Sequence, residues 1–326
     1  MGIRQKLKKR IFTNQLPRQM YSIYLLSWMW VTTRSPLGKN IFETNWDTLI
    51  VLDACRVDVL RAVSDEYDLI EDVEAKWSVG STSKEWLLKT FTEKYLDQIQ
   101  NTTYISGNGF TRWLKEDPVD YMSFTVTQDT YIRSNKKFNK LLRRDLVDAN
   151  DFHHLEELWQ LSENNEFGAA PFAEDLTNHA IKAGRERNQE RLIVHYMQPH
   201  APYLYHALNE GKMRDYEKTP FWAIRDGVSK DKVWDSYLDN LRYVLDSVEL
   251  LLQNLDAEKV VITADHGELF SFGIGHAAGF PHPQLKKVPW VVTSATDNKT
   301  HSVNIAEKEP ADDPDLDEHL QALGYK

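Results

Sequence analysis

The stretch VVITADHGELF, Val260–Phe270, decides how this chain is read. Four β-forming residues are followed at once by Asp265, His266 and Gly267, so a strand fit for a buried sheet ends on an acid and an imidazole. A strand leaving the core through an ordinary Asp/Gly turn would look the same. What separates the two readings is whether other strands end in a similar way. In WDTLIVLDACRVDVLRAV the apolar run Leu49–Leu52 ends on Asp53, and CRVDVLRAV can begin a helix. RLIVHYM, Arg191–Met197, is another such strand and leads through QPHAPY to His200.

Between these last two strands, VWDSYLDNLRYVLDSVELLLQNL places Val233, Tyr237, Leu241, Val244, Leu245, Val248, Leu251 and Leu252 at spacings of three and four, the pattern of a long amphipathic helix. Strand, helix and strand in alternation predict an α/β fold, with a largely parallel central sheet and helices on both faces. Ligands of such sheets gather at the carboxyl ends of the strands. Asp53, His200, Asp265 and His266 would then share one edge. Carboxylate oxygens beside imidazoles suit a divalent cation: zinc, manganese, magnesium or calcium, as one ion or two.

With 326 residues, 41% of them hydrophobic, the chain can bury one large core or two modest ones. Its single cysteine, Cys55, excludes an internal disulfide, and no Cys/His group has zinc-finger spacing. The net charge of −10 hides an asymmetry, because residues 1–42 carry eight Lys/Arg and no acid. Nucleic acid is not an expected partner, since the body is strongly acidic. The apolar run YSIYLLSWMWV, Tyr21–Val31, is shorter than the roughly 20 residues a membrane crossing needs. It does not read as a secretory signal, because Trp28 and Trp30 interrupt it and TTRSPLG offers no small-residue cleavage site. Lys6 stands where N-myristoylation wants Ser or Thr. The expectation is a cytoplasmic protein. Residues 1–42 either pack on the body with a solvated basic face or lie on an anionic membrane, on its inner face.

The ordered set from about residue 46 onward resembles the sulfatase-like branch of the alkaline phosphatase superfamily, which implies an α/β/α sandwich of that type. The family's first strand ends in an acidic metal ligand followed by an Arg and a further Asp, and LDACRVDVL supplies Asp53, Arg56 and Asp58. Many sulfatases have a second Asp directly after the first, where this chain has Ala54. The family's nucleophile opens a helix some way downstream. In SVGSTSKEWLLKTF, Thr82 is the first choice, as nucleophile and metal-bound oxygen, and Ser83 the second. A Thr82-to-Glu85 capping box is the plain alternative for that stretch. No Cys/Ser-x-Pro/Ala-x-Arg stretch of the formylglycine sulfatases occurs, and Cys55 cannot stand in for one.

The resemblance further implies Asp53, Asp265 and His266 as metal ligands and His200 as the residue handling the leaving-group proton. Arg56, His276 and His282 become substrate-binding candidates, with Lys287 a weaker one, and His195 is structural on strand parity. The implied organisation is an N-terminal helical extension, 1–44, a catalytic domain, 45–300, and an acidic linker with a C-terminal helix, 301–326. Within the domain, about 108–190 reads as an insertion or irregular helical segment. The implied function is metal-dependent hydrolysis of a phosphate or sulfate ester through a Thr/Ser nucleophile and a covalent enzyme ester. The alternatives are a phosphoglycerol- or phosphoethanolamine-type transferase and a catalytically silent binding module. The substrate is expected to be a small molecule, a glycan or a lipid ester. The chain lacks the multi-span region typical of lipid-headgroup transferases, which favours the hydrolase.

Overall fold

The structure, a computed structural model, describes residues 15–115, 120–122, 124, 127, 130–142, 146–161, 167, 170–186, 189–270, 275–303 and 305. Among the described residues seven strands form one sheet: β1 (Thr48–Leu52), β2 (Glu74–Trp77), β3 (Thr102–Ser106), β4 (His154–Glu157), β5 (Arg191–Tyr196), β6 (Ala257–Thr263) and β7 (Lys287–Ala295). Their order is β2-β7-β6-β1-β5-β3-β4. The five neighbours from β6 to β4 run parallel, whereas β7 is antiparallel to β6 and β2 to β7. The expected largely parallel sheet is therefore present. The 108–190 segment supplies edge strand β4 and a long helix, Ala173–Glu186.

Five helices frame the carboxyl edge of the sheet and the cores beneath it: α1 (Gln15–Thr32), α2 (Val57–Val63), α3 (Ser83–Thr90), α4 (Ala173–Glu186) and α5 (Lys230–Leu252). Strand β1 is buried on both faces, as its unbroken apolar run requires. Ile50 and Leu52 join the core formed with α2, α4 and α5. Leu49 and Val51 join the opposite core with Trp86 and Leu87 of α3. All eight apolar positions read from the α5 pattern are buried. That helix begins upstream of the pattern because the Ser229 side chain accepts the Asp231 N–H and caps it. The C-terminal helix expected within 301–326 lies outside the described residues, as does the basic run before Gln15.

Helix α1 is docked on the body rather than free of it. Leu25 and Met29 are buried with Leu88, Met122, Leu142 and Ala278. Tyr21 and Tyr24 donate to the carbonyls of Ala278 and Gly279, both at 2.5 Å. Gly279 is required there: its φ is +73°, and an added Cβ would sit 2.9 Å from Leu25 and 3.1 Å from Trp28.

Below this contact lies Glu85, fully buried. It accepts from Trp28 Nε1 at 2.6 Å, Ser81 N at 2.9 Å and Gly279 N at 3.2 Å, and also from the Ser81 hydroxyl and Lys89. Burial pushes this carboxyl up, but Lys89, Lys286 and the hydrogen bonds more than offset it and hold it at about 2. Its contribution to stability is complete above the ordinary carboxyl pKa of about 4.5 and is lost as pH falls toward about 2. Glu85→Ala strands the buried Lys89 ammonium, so a urea melt at neutral pH is expected to show a loss of about 3–5 kcal/mol. A loss under about 1 kcal/mol would mean that the cluster is not holding the fold.

Candidate metal centre

Parallel register brings the strand ends together. Val51 of β1 pairs with His195 of β5 and with Thr263 of β6. Two residues further on, Asp53 comes beside Asp265, and both keep the parity of the face covered by α3. The helix arrives with its N-terminus at this point. Ser83, its first residue, has Oγ 3.2 Å from Asp53 Oδ2 and 3.2 Å from His266 Nε2. Asn108, beyond the end of β3, donates from Nδ2 to Asp53 Oδ2 at 2.8 Å.

One donor group is Asp53, Asp265 and His266, whose ligand atoms lie within 4.8 Å of one another, all buried. His266 Nε2 is 3.5 Å from Asp53 Oδ1 and 3.6 Å from Asp265 Oδ2. Its Nδ1 lies 2.8 Å from the Gly267 carbonyl. A carbonyl can only accept, so Nδ1 carries the proton and Nε2 turns its lone pair to the two carboxylates. His200 uses the same device, with Nδ1 2.5 Å from the Ala201 carbonyl.

His200, Glu268 and His276 form a second donor group of the same compactness. The two groups adjoin, since the His276 ring centroid is 4.5 Å from that of His266 and 5.2 Å from that of His200.

The electrostatics fit a cation. Asp265 Oδ2 is buried and makes no hydrogen bond among the described residues. Burial and the Asp265 charge push Asp53 well above the usual carboxylate range. Burial pushes Glu268 up to about 7. Asp265 itself is held below the usual range, because His266 and His195 outweigh its burial. Burial lowers the histidines, His200 and His276 to about 4, so they are neutral donors at pH 7. Neutral imidazoles beside more acid than the protein neutralises are the donor set a divalent ion takes, and the two carboxylates with one imidazole suit zinc or a harder ion.

The remaining residues singled out in the sequence hold varied positions. Thr82 is the N-cap of α3, its Oγ1 accepting the Glu85 N–H at 3.2 Å, so the expected first choice is engaged in capping and Ser83 faces the donor group instead. The Thr82–Glu85 box is half formed, since the Glu85 carboxylate takes the Ser81 N–H. Arg56 is tied to both Asp58 carboxylate oxygens and to the Glu268 carbonyl, with its guanidinium over the Trp234 ring, so it braces the turn after His266. His282 caps the Pro283–Lys286 turn and stacks on Phe280.

His195 does not point away from the centre. Its Nε2 is 3.8 Å from Asp265 Oδ2, and Nδ1 is 2.9 Å from the Tyr104 hydroxyl. Lys287 is exposed, whereas Lys286 beside it is buried and lowered to about 7 by that burial. Cys55 is buried and its thiol is pushed up, which makes it no nucleophile. Sequence reasoning missed Glu268 and Asn108.

Glu268 gives the centre a pH signature. Its folded pKa is raised, so the folded chain holds a proton that the unfolded chain has lost. Chelator-treated protein should therefore lose stability on the order of 1–3 kcal/mol as pH rises from about 5 to about 7. Free metal at 100 times its dissociation constant should add about 2.7 kcal/mol at pH 7.5, and Asp265→Asn should abolish that gain. Thermal melts with and without zinc or manganese measure both. A metal response unchanged in Asp265→Asn would remove this group as the binding site.

Comparison with known proteins bears on the same fold. The sulfatase family model matches residues 80–316. No curated protein matches the sequence. The structure is similar to the integral membrane protein lipooligosaccharide phosphoethanolamine transferase A of Neisseria meningitidis, with 14% identity over 78% of this chain and 48% of that one and a TM-score of 0.46. This chain thus spans about half the length of that protein. The soluble domain of the same transferase is 12% identical over 82% of each chain, with a TM-score of 0.46. A protein in the alkaline phosphatase superfamily from Vibrio parahaemolyticus is 13% identical over 87% of this chain and 71% of that one, with a TM-score of 0.38. Members of the superfamily are enzymes acting on phosphate or sulfate esters, and they bind a divalent metal. Matched by the sulfatase model over most of its length, the chain belongs to the sulfatase family and, within the alkaline phosphatase superfamily, to its sulfatase-like branch.

Proposed function

We propose that this protein cleaves a phosphate or sulfate ester by forming a covalent ester on Ser83, which water then hydrolyses. The observation that carries this reading is the seat of Ser83 Oγ, 3.2 Å from both Asp53 Oδ2 and His266 Nε2 at the N-terminus of α3. A divalent ion held by Asp53, Asp265 and His266 would supply Lewis acidity to the attacking and transferred oxygens.

The residues of the chain do the rest. The Ser83 hydroxyl is within reach of two acceptors for its proton, and as Oγ bonds to the central atom the ester oxygen departs. Asn108 holds Asp53 in place by its bond to Oδ2. The N-terminus of α3 favours the anionic ester. His200, Glu268 and His276 stand beside the same centre, as the groups to hold the leaving oxygen's proton and later to take one from the incoming water.

The helix start carries no Cys/Ser-x-Pro/Ala-x-Arg stretch to mature into formylglycine, so an unmodified hydroxyl suits phosphoester chemistry better than that of the standard sulfatases. Transfer to an acceptor alcohol, of the phosphoglycerol or phosphoethanolamine type, shares the first half of this reaction. It is the second reading, favoured by α1, whose Met20, Ile23, Trp30 and Val31 are exposed while its Tyr21 and Tyr24 hold the loop after His276. A silent binding module would not need this convergence of donors.

Turnover of p-nitrophenyl phosphate, its phosphodiester analogue and the sulfate ranks the ester class. Ser83→Ala is expected to lower kcat/KM by at least about 10³-fold. Thr82→Ala should cost about 1 kcal/mol of stability through the lost cap and leave most turnover intact. The reverse ranking of the two variants would overturn the assignment. With the monoester or the sulfate as substrate, added glycerol or ethanolamine separates the two readings: nitrophenol release that outruns inorganic phosphate or sulfate marks transfer, and equal release marks hydrolysis.

A further inference from the structure

Helix α1 is apolar on two sides. One side is buried, with Leu25 and Met29 packed on Leu88, Met122 and Ala278 of the body. The other follows the helix outward at spacings of three and four: Met20, Ile23, Tyr24, Ser27, Trp30, Val31 and Arg34 are all exposed. Met20, Ile23, Tyr24, Trp30 and Val31 are 41–65% exposed. A solvent-facing helix surface normally carries charge, and an apolar stripe of this kind marks an interaction surface. Tyr131, Leu141 and Phe280, on elements that border α1, are exposed as well. Arg34 joins two of these elements, with its guanidinium 4.9 Å from the Trp30 ring and donating to the Leu141 carbonyl at 3.2 Å.

The charge around this stripe identifies the occupant. The chain is acidic overall, yet residues 1–42 carry eight Lys/Arg and no acid. The segment bordering α1, residues 131–142, carries four more, Arg133, Lys136, Lys137 and Lys140, again with no acid. The helix Tyr131–Ser134 follows Thr130, whose hydroxyl lies 3.4 Å from that of Ser22 in α1. Among the described residues, Arg18 and Arg34 of the α1 segment and Arg133, Lys137 and Lys140 of the bordering one thus lie on elements that meet at one apolar, tryptophan-bearing face of an acidic protein. Among the described residues no helix is long and apolar enough to cross a membrane.

We infer that the outer face of α1 with the adjoining basic segment docks on an anionic lipid bilayer, its apolar residues in the interface and its Lys/Arg on the headgroups. The same helix holds the carbonyls of Ala278 and Gly279, two and three residues after His276. Docking therefore sets the rim of the catalytic centre against the headgroup layer. Membrane docking of this kind is independent of the reaction at Ser83.

Flotation of the full chain with vesicles of phosphatidylcholine alone, or with phosphatidylglycerol added, tests it. Binding is expected on the anionic vesicles, weak on the neutral ones and reduced by high salt. Ile23→Ser with Trp30→Ser, and separately Lys137→Glu with Lys140→Glu, should each weaken anionic binding by about tenfold or more. All four positions are exposed and distant in sequence from the catalytic groups, so the melting temperature and turnover of a soluble ester should match the wild type. Four results would each overturn the inference: no flotation, equal flotation with both vesicle types, unchanged binding in both variants, or a dimer broken by Ile23→Ser/Trp30→Ser in a protein that ignores vesicles. The first would leave the esterase reading untouched.

Discussion

The carboxyl edge of the sheet is organised by like charge in a small volume. Asp53, Asp265 and Glu268 are all at most 2% exposed and converge at one point. Their imidazole neighbours are driven neutral by the same burial, so they add lone pairs and no positive charge. Such a group is tolerable in two ways. The carboxyls can hold protons, which is why Asp53 and Glu268 are raised, or a divalent ion can replace those protons. Proton and a divalent ion would thus compete for one set of oxygens, which would link pH and metal affinity at this centre.

Glu85, in the first turn of α3, shows what the same fold does with an acid that serves structure. Its carboxylate is as deeply buried as Asp53, yet it is surrounded by donors from separate segments and by Lys89 and Lys286. Its pKa falls where those of Asp53 and Glu268 rise. The two solutions meet at one helix, Glu85 within the first turn of α3 and Asp53 against its first residue, Ser83. A chain able to neutralise Glu85 with its own cations could have done so for Asp53, and the groups it places there are the neutral donors Ser83 and Asn108, a second carboxyl and neutral rings instead.

The apolar run to Asp53, the run to Asp265 and the periodicity of α5 were legible because burial on both faces of a parallel strand, or one face of a helix, leaves a repeating signal. What the sequence left open depended on angles and pairings that carry no such period. Thr82 and Ser83 are adjacent hydroxyls that both suit a helix start, and the turn of roughly 100° between them decides which caps and which faces the acids. Parity along β5 put His195 opposite His200, but the chain turns after Tyr196, and only the pairing of His195 with Val51 shows that it shares the face of Asp53. Glu268 and Asn108 reach the centre from loops, where spacing predicts nothing. Lys286 ends the Pro283–Lys286 turn and is buried, whereas Lys287 opens β7 and is exposed.

Helix α1 raises a constraint of a different kind. An isolated helix with apolar residues around its whole circumference would aggregate, and docking on the body resolves only half of that problem. The inner half is fixed tightly: Tyr21 and Tyr24 bind backbone carbonyls, Trp28 binds Glu85, and Gly279 removes the side chain that would hold the surfaces apart. Because those contacts fall on the loop after His276 and on the helix that begins with Ser83, they tie α1 to both walls of the candidate metal centre. The inner contacts therefore keep α1 seated against the candidate metal centre whatever covers its outer half.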